Sequence, residues 1–219
     1  MAQIKRRNSI QLIKNNLKDT FVYDIVIYLR QLIELLLWRL QGTGDVPHII
    51  KQKVVLRYAA RFSVSTLIET GTYLGFMVNA VRKEFRRVYS IELDEKLYQR
   101  AKKKFRRFNH IVLFHGDSAV IIPKILSQIQ YPCLFWLDAH YSGGITAKET
   151  LETPITQELR QILSHSFAPQ HVILIDDARN FVGTNDYPTL QEVEQLVSEL
   201  CPTSALSVMD DIIRIHRVE

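Results

Sequence analysis

Leu67-Ile68-Glu69-Thr70-Gly71-Thr72-Tyr73-Leu74-Gly75 decides the fold of this chain. A short apolar run ends in an acid and opens at once into a glycine loop. The same grammar recurs downstream, where runs rich in β-branched or aromatic residues end in Glu92, in Asp138 and in the pair Asp176-Asp177. Continuous apolar runs of this length read as strands buried on both faces, which is the habit of parallel sheets. Acids at the ends of such strands gather on one edge of the sheet, the edge where open α/β sheets bind ligands.

Working outward, strands and helices alternate. Strands are expected near Thr66–Glu69, Val88–Glu92, Ile111–His115, Cys133–Asp138 and Val172–Asp176. Between and beyond them lie helical patterns: from the glycine loop to about Phe85, Glu95 to Phe108, Ile122 to Ile129, from Thr153, and Pro188 to Leu200. Pro47 to Phe62 reads as a helix entering the sheet. The tail from Ala205 to Val218 holds two apolar runs around Asp210-Asp211, the pattern of a closing hairpin. The order predicts an α/β fold with a doubly wound, mostly parallel seven-stranded Rossmann-like sheet, an antiparallel edge strand and N-terminal helices.

Composition agrees with a folded α/β domain: 219 residues, 47% hydrophobic and 23% charged. Two cysteines, Cys133 and Cys201, give neither a disulfide framework nor metal-ligand spacing, and a cytoplasmic location is expected. Residues 1–45 read as a basic amphipathic helical extension and residues 46–219 as the cofactor domain. Lys5, Arg6, Arg7, Lys14 and Lys18 precede a helical apolar face of Val22, Ile25, Val26, Leu29, Leu32, Ile33, Leu36 and Leu37. Asp24, Arg30, Glu34 and Arg39 interrupt that stretch and argue against a membrane span. Packing on the core, pairing with a second copy, and resting on an anionic membrane surface all fit the pattern.

The glycine loop departs from the dinucleotide fingerprint, because only Gly71 and Gly75 are present. Gly71 suits a sharp turn beside a ligand, and Gly75 suits close packing of the following helix. One strand later, Glu92-Leu93 places an acid where it can accept ribose hydroxyls. After the third strand, Gly116-Asp117-Ser118 can read a purine edge or cap a helix, and the two roles are compatible.

Taken in this order, Leu67 to Gly75, Tyr89 to Glu92, Gly116 to Ser118 and Phe135 to Asp138 resemble the motifs of the S-adenosylmethionine-dependent methyltransferases. The resemblance spans about residues 50–219. It implies S-adenosylmethionine held by Glu69, Thr70, Gly71, Thr72, Tyr73, Gly75, Glu92, Leu93, Gly116, Asp117, Ser118 and Asp138. Asp138 with Asp176 and Asp177 is similar to the Mg²⁺ ligands of the catechol O-methyltransferase branch. That likeness implies methylation of an oxygen on a small hydroxylated acceptor.

The chain departs from that branch where its lysine base would stand, having Tyr141, so His140 becomes the expected base. The loop through Ser142-Gly143-Gly144 to Glu152 reads as a lid, and Arg179 as an anchor for an anionic group. Arg100, Lys102, Lys103, Lys104, Arg106 and Arg107 fall on the outer face of their helix, so nucleic acid is not the expected partner.

Overall fold

The structure, a computed structural model, describes residues 21–41, 46–138 and 153–218. The chain falls into two compact units, Met1–Lys51 and Gln52–Glu219. In the first, α1 spans Phe21–Gln41. Its stripe Leu29, Ile33, Leu36, Leu37 and Leu40 is exposed, while Leu35 is buried. No helix among the described residues is long and apolar enough to cross a membrane.

From α2 (His48–Arg61) the chain enters β1 (Thr66–Thr70), α3 (Phe76–Val81), β2 (Arg87–Glu92), α4 (Glu95–Phe105) and β3 (Ile111–His115). There follow α5 (Ser118–Leu126), β4 (Leu134–Leu137), α6 (Ile155–Leu163), β5 (Val172–Ile175), α7 (Leu190–Leu200), β6 (Ser204–Met209) and β7 (Ile212–Arg217). The seven strands lie in the order β3-β2-β1-β4-β5-β7-β6. The first five are parallel, and β7 runs against both of its neighbours. This is the expected doubly wound sheet, closed by the expected hairpin. Asp210 and Asp211 make its two-residue turn, both with φ above +50° (53° and 56°), as a turn matched to strand twist requires.

Strand order reverses between β1 and β4, so the carboxyl ends of β1, β2 and β4 meet at the switch point. One face of the sheet, with Ile68, Ile91, Phe135, Leu137, Ile173 and Ile213, packs on apolar residues of α5, α6 and α7. The alternate residues Leu67, Val88, Leu134, Trp136 and Leu174 are equally buried and point to the other face. Burial on both faces explains why these strands read as unbroken apolar runs.

Several elements are shorter than their periodicity suggests. α3 stops at Val81 and α4 at Phe105. α6 starts at Ile155, with Thr153 outside it as a buried hydroxyl that accepts from the Ile155 N–H at 3.3 Å. α7 starts two residues after Pro188 because Thr189 and Glu192 form a reciprocal capping box.

Candidate functional site

The turn after β1 is an extension of the sheet. Gly71 and Thr72 both donate their N–H to the Ile91 carbonyl, at 3.0 and 3.1 Å. Gly71, Tyr73 and Gly75 then take positive φ values of 83°, 49° and 68°. At Gly75 a Cβ would stand 2.7 Å from the Phe105 ring. The glycine therefore admits α4's aromatic anchor, rather than bringing its own helix down on the sheet. Lys104 reaches the same loop, donating from Nζ to the Leu74 carbonyl at 3.3 Å.

This geometry aims backbone donors at Glu92. Tyr73 N–H donates to its Oε2 at 2.6 Å and Asp94 N–H to its Oε1 at 2.9 Å. Burial raises the Glu92 carboxyl above the usual range against the pull of these hydrogen bonds. A carboxylate has about four acceptor positions, so lone pairs remain on both oxygens for a hydroxylated ligand. Glu69 lies deeper. Ser90 gives its hydroxyl proton to Glu69 and in turn accepts from Thr72, 2.5 Å away. Burial first, with Asp138 and Glu92 adding to it and the Ser90 bond opposing it, holds the Glu69 carboxyl well above the usual range.

At the end of β3, Gly116 has φ 132° and donates to the Glu92 carbonyl at 2.9 Å. Asp117 caps α5, its Oδ1 accepting the Ala119 N–H at 2.9 Å, and Ser118 is buried. Leu93 sits in the turn after Glu92, and its carbonyl receives His115 Nε2 at 3.0 Å.

Asp138 follows β4, its N–H donating to the Thr70 carbonyl at 3.2 Å and to the Thr70 hydroxyl at 3.3 Å. With Asp176 and Asp177 it brings three carboxylate oxygens within 4.8 Å of one another. Asp177 adopts φ 55°, which turns the chain sharply after β5. Like charges this close require a compensating cation or proton. Three hard oxygen donors suit Mg²⁺ or a similar divalent ion that retains some of its water. The donor set therefore fits the implied metal.

Arg179 does not stand clear as an anchor for an anionic substrate group. Its Nη2 lies 3.2 Å from Asp177 Oδ1, and its Nη1 pairs with Asp211 of the hairpin turn. The hairpin thereby braces the acid cluster, a connection that strand patterning does not reveal. Tyr187 stands near Asp138 and Asp177, beside Asn180 and Thr153, and burial pushes its phenol up to about 12.

His140, Tyr141 and the expected lid lie outside the described residues. Among the described ones, the structure adds Glu158 of α6. It is wholly enclosed beside the Thr70 and Ser118 hydroxyls, and burial pushes its carboxyl up to about 7. Its only sequence signal is a charged residue on the apolar face of an amphipathic helix. On α4, Leu97, Ala101 and Phe105 are buried while Lys102, Lys103, Arg106 and Arg107 are exposed.

Comparison with known proteins agrees with this architecture. The structure aligns with an S-adenosylhomocysteine-bound methyltransferase of Podospora anserina over 77% of this chain and 78% of the other, with a TM-score of 0.54 at 15% identity. The O-methyltransferase of tomaymycin synthesis from Streptomyces achromogenes, solved with S-adenosylmethionine, aligns over 83% and 85%, with a TM-score of 0.54 at 17% identity. The fold is the α/β methyltransferase fold. No family model matches the chain. A protein-L-isoaspartate O-methyltransferase of Burkholderia pseudomallei is 34% identical over 85 residues, 38% of this chain. The match covers 26% of that relative's length, and 28% of the corresponding enzyme of Burkholderia vietnamiensis.

Proposed function

We propose that this protein is an S-adenosylmethionine-dependent methyltransferase that methylates an oxygen of a small hydroxylated acceptor with the help of a divalent cation. One observation carries the reading. The glycine loop, which leaves acceptor positions on Glu92 for a hydroxylated ligand, shares the carboxyl edge with the three carboxylates of Asp138, Asp176 and Asp177. Glu92 would accept the ribose hydroxyls, Asp117 and Ser118 would face the adenine, and Asp138 would stand between cofactor and acceptor. Asp138, Asp176 and Asp177 would hold the cation, which supplies charge stabilisation for an acceptor oxygen that is losing its proton. That oxygen forms a bond to the sulfonium methyl as the carbon–sulfur bond breaks, leaving S-adenosylhomocysteine. His140 is the residue proposed to take the proton, on the chemistry of imidazole near neutral pH.

The decisive experiment is calorimetric titration with S-adenosylmethionine, with and without Mg²⁺ and with NAD as control, followed by transfer of labelled methyl to a panel of hydroxylated metabolites. Absence of cofactor binding would end this reading. The match to isoaspartate methyltransferases supports a second acceptor, a carboxylate on a protein. A carboxylate is already ionised at neutral pH and needs no metal to become a nucleophile, so activity that survives chelation would favour it.

For the N-terminal unit, the exposed stripe of α1 and the basic residues before it support contact with an anionic membrane surface. Deletion of residues 1–42 is expected to abolish sedimentation with phosphatidylserine vesicles. Unchanged sedimentation would exclude that contact, and a shift to monomer on deletion would instead identify the helix as a homodimer element.

A further inference from the structure

Behind the cofactor edge, α6 carries a carboxyl that the proposed chemistry does not use. Glu158 has no exposed surface, and neither of its oxygens takes part in a well-formed hydrogen bond. It lies against two hydroxyls: Thr70, the last residue of β1, and Ser118, the first of α5. Thr70 Oγ1 in turn accepts the Asp138 N–H at 3.3 Å. One turn further along α6, Gln161 Nε2 donates to the Ala119 carbonyl at 2.7 Å. A single helix face thus adjoins the end of β1 and the start of α5 directly, and the end of β4 through Thr70.

We propose that Glu158 is a positioning residue for the cofactor cleft, filling the space behind the Thr70 and Ser118 segments as a neutral acid and displacing them when it ionises. The inference rests on the cofactor reading above. Its physical basis is the charge environment. Asp117, at the head of α5, is the charged group that acts on Glu158, and it is of like sign. Lys124 on α5 and Glu192, Glu194 and Glu199 on α7 are exposed, and His165 and His171 lie beyond the far end of α6. No cation among these faces the carboxyl. Ionisation therefore leaves a buried negative charge beside another, and the surrounding loops must shift to admit water or a counter-ion. A cofactor that displaces water from the front of the cleft makes the charged form costlier still, so binding favours the proton.

The test is the dissociation constant of S-adenosylmethionine measured by calorimetry from pH 6 to pH 8 on the full chain, for the natural protein and for Glu158→Gln. Glutamine keeps the shape and the hydrogen-bonding groups but cannot ionise. The natural protein is expected to bind about two- to fivefold more weakly at pH 8 than at pH 6, corresponding to about half to one pK unit of coupling. The variant should lack this component, and the cofactor's own amino group titrates equally in both. An identical pH profile for the two proteins would overturn the proposal while leaving the cofactor reading intact. Failure of the natural protein to bind at any pH would overturn both. Should Glu158→Gln fold poorly, Thr70→Val removes one hydroxyl that favours the charged form, and the midpoint of the profile should move upward; an unmoved midpoint counts against the proposal.

Discussion

The two edges of the sheet treat buried polar groups in opposite ways. At the amino edge, His171 is 2% exposed and fully engaged: Cys133 N–H donates to its Nδ1 at 3.0 Å, and its Nε2 lies 2.9 Å from His165 Nδ1. Because a backbone N–H can only donate, Nδ1 carries no proton, so Nε2–H is the donor to His165. Phe135 packs edge-on against the ring. At the carboxyl edge, Glu69, Glu92 and Glu158 are as deeply enclosed, and burial raises all three. There Glu158 has no well-formed hydrogen bond and three aspartates crowd together. Groups that serve stability are satisfied within the protein. Glu158, enclosed with no hydrogen-bond partner for either oxygen, is the group at the carboxyl edge that the protein leaves unsatisfied.

Substitution should therefore separate the two edges. The largest effect is expected for Asp176→Ala with Asp177→Ala, which removes two of the three carboxylates proposed to hold the cation. Methyl transfer should fall about a thousandfold, equivalent to about 4 kcal/mol, with S-adenosylmethionine affinity nearly unchanged. Intact activity and intact Mg²⁺ dependence would sink the metal reading. Next comes a pH effect on stability. The Glu158 carboxyl is raised from 4.5 to about 7, so the folded state binds more protons than the unfolded chain in that window. Its contribution is fully present below about pH 4.5 and is lost as pH rises through 7, a change of about 3 kcal/mol. Urea denaturation of the natural protein and Glu158→Gln across this range should show a gap that widens with pH, and parallel curves would refute it.

The amino edge should behave with the opposite sign. Burial, aided by His165, lowers His171 from 6.5 to about 3, so the unfolded chain binds more protons in that interval. Stability due to neutral His171 is full above 6.5 and declines as pH falls toward 3. His171→Ala should cost about 2–3 kcal/mol at neutral pH, through a stranded Cys133 N–H and lost packing. It should also leave cofactor affinity unchanged, and a calorimetric shift beyond about threefold would blur the distinction between the edges.

Much of this was legible in the residues themselves. Unbroken apolar runs ending in Glu92, Asp138 and Asp176 predict both the sheet and the edge that bears the acids, because two-sided burial leaves no polar alternation. The gathering of Asp138, Asp176 and Asp177 follows from strand adjacency alone. Three features were not legible, for a shared reason. Glu158, the hairpin brace from Asp211 to Arg179, and the fit of Phe105 against Gly75 each join segments far apart in sequence through side chains whose partners no local period encodes. The anchoring role expected of Arg179 fails on that account: the two aspartates that occupy it come from different turns.

Glu92 gives the smallest expected effect and the finest test of the comparison, because it shares features of both edges. Two backbone N–H groups satisfy part of it, as at the amino edge, and lone pairs remain on both oxygens. If its role were only to pin the glycine loop, Glu92→Gln would retain one acceptor oxygen, lose the second, and reduce stability more than binding. If it also accepts ribose hydroxyls, the loss should fall on the cofactor. Glu92→Ala is expected to weaken S-adenosylmethionine by about 2 kcal/mol, near thirtyfold, as for a hydrogen bond to a charged group. An unchanged dissociation constant with a lowered melting temperature would move Glu92 into the class of His171, and the cofactor would have to lie elsewhere along the carboxyl edge.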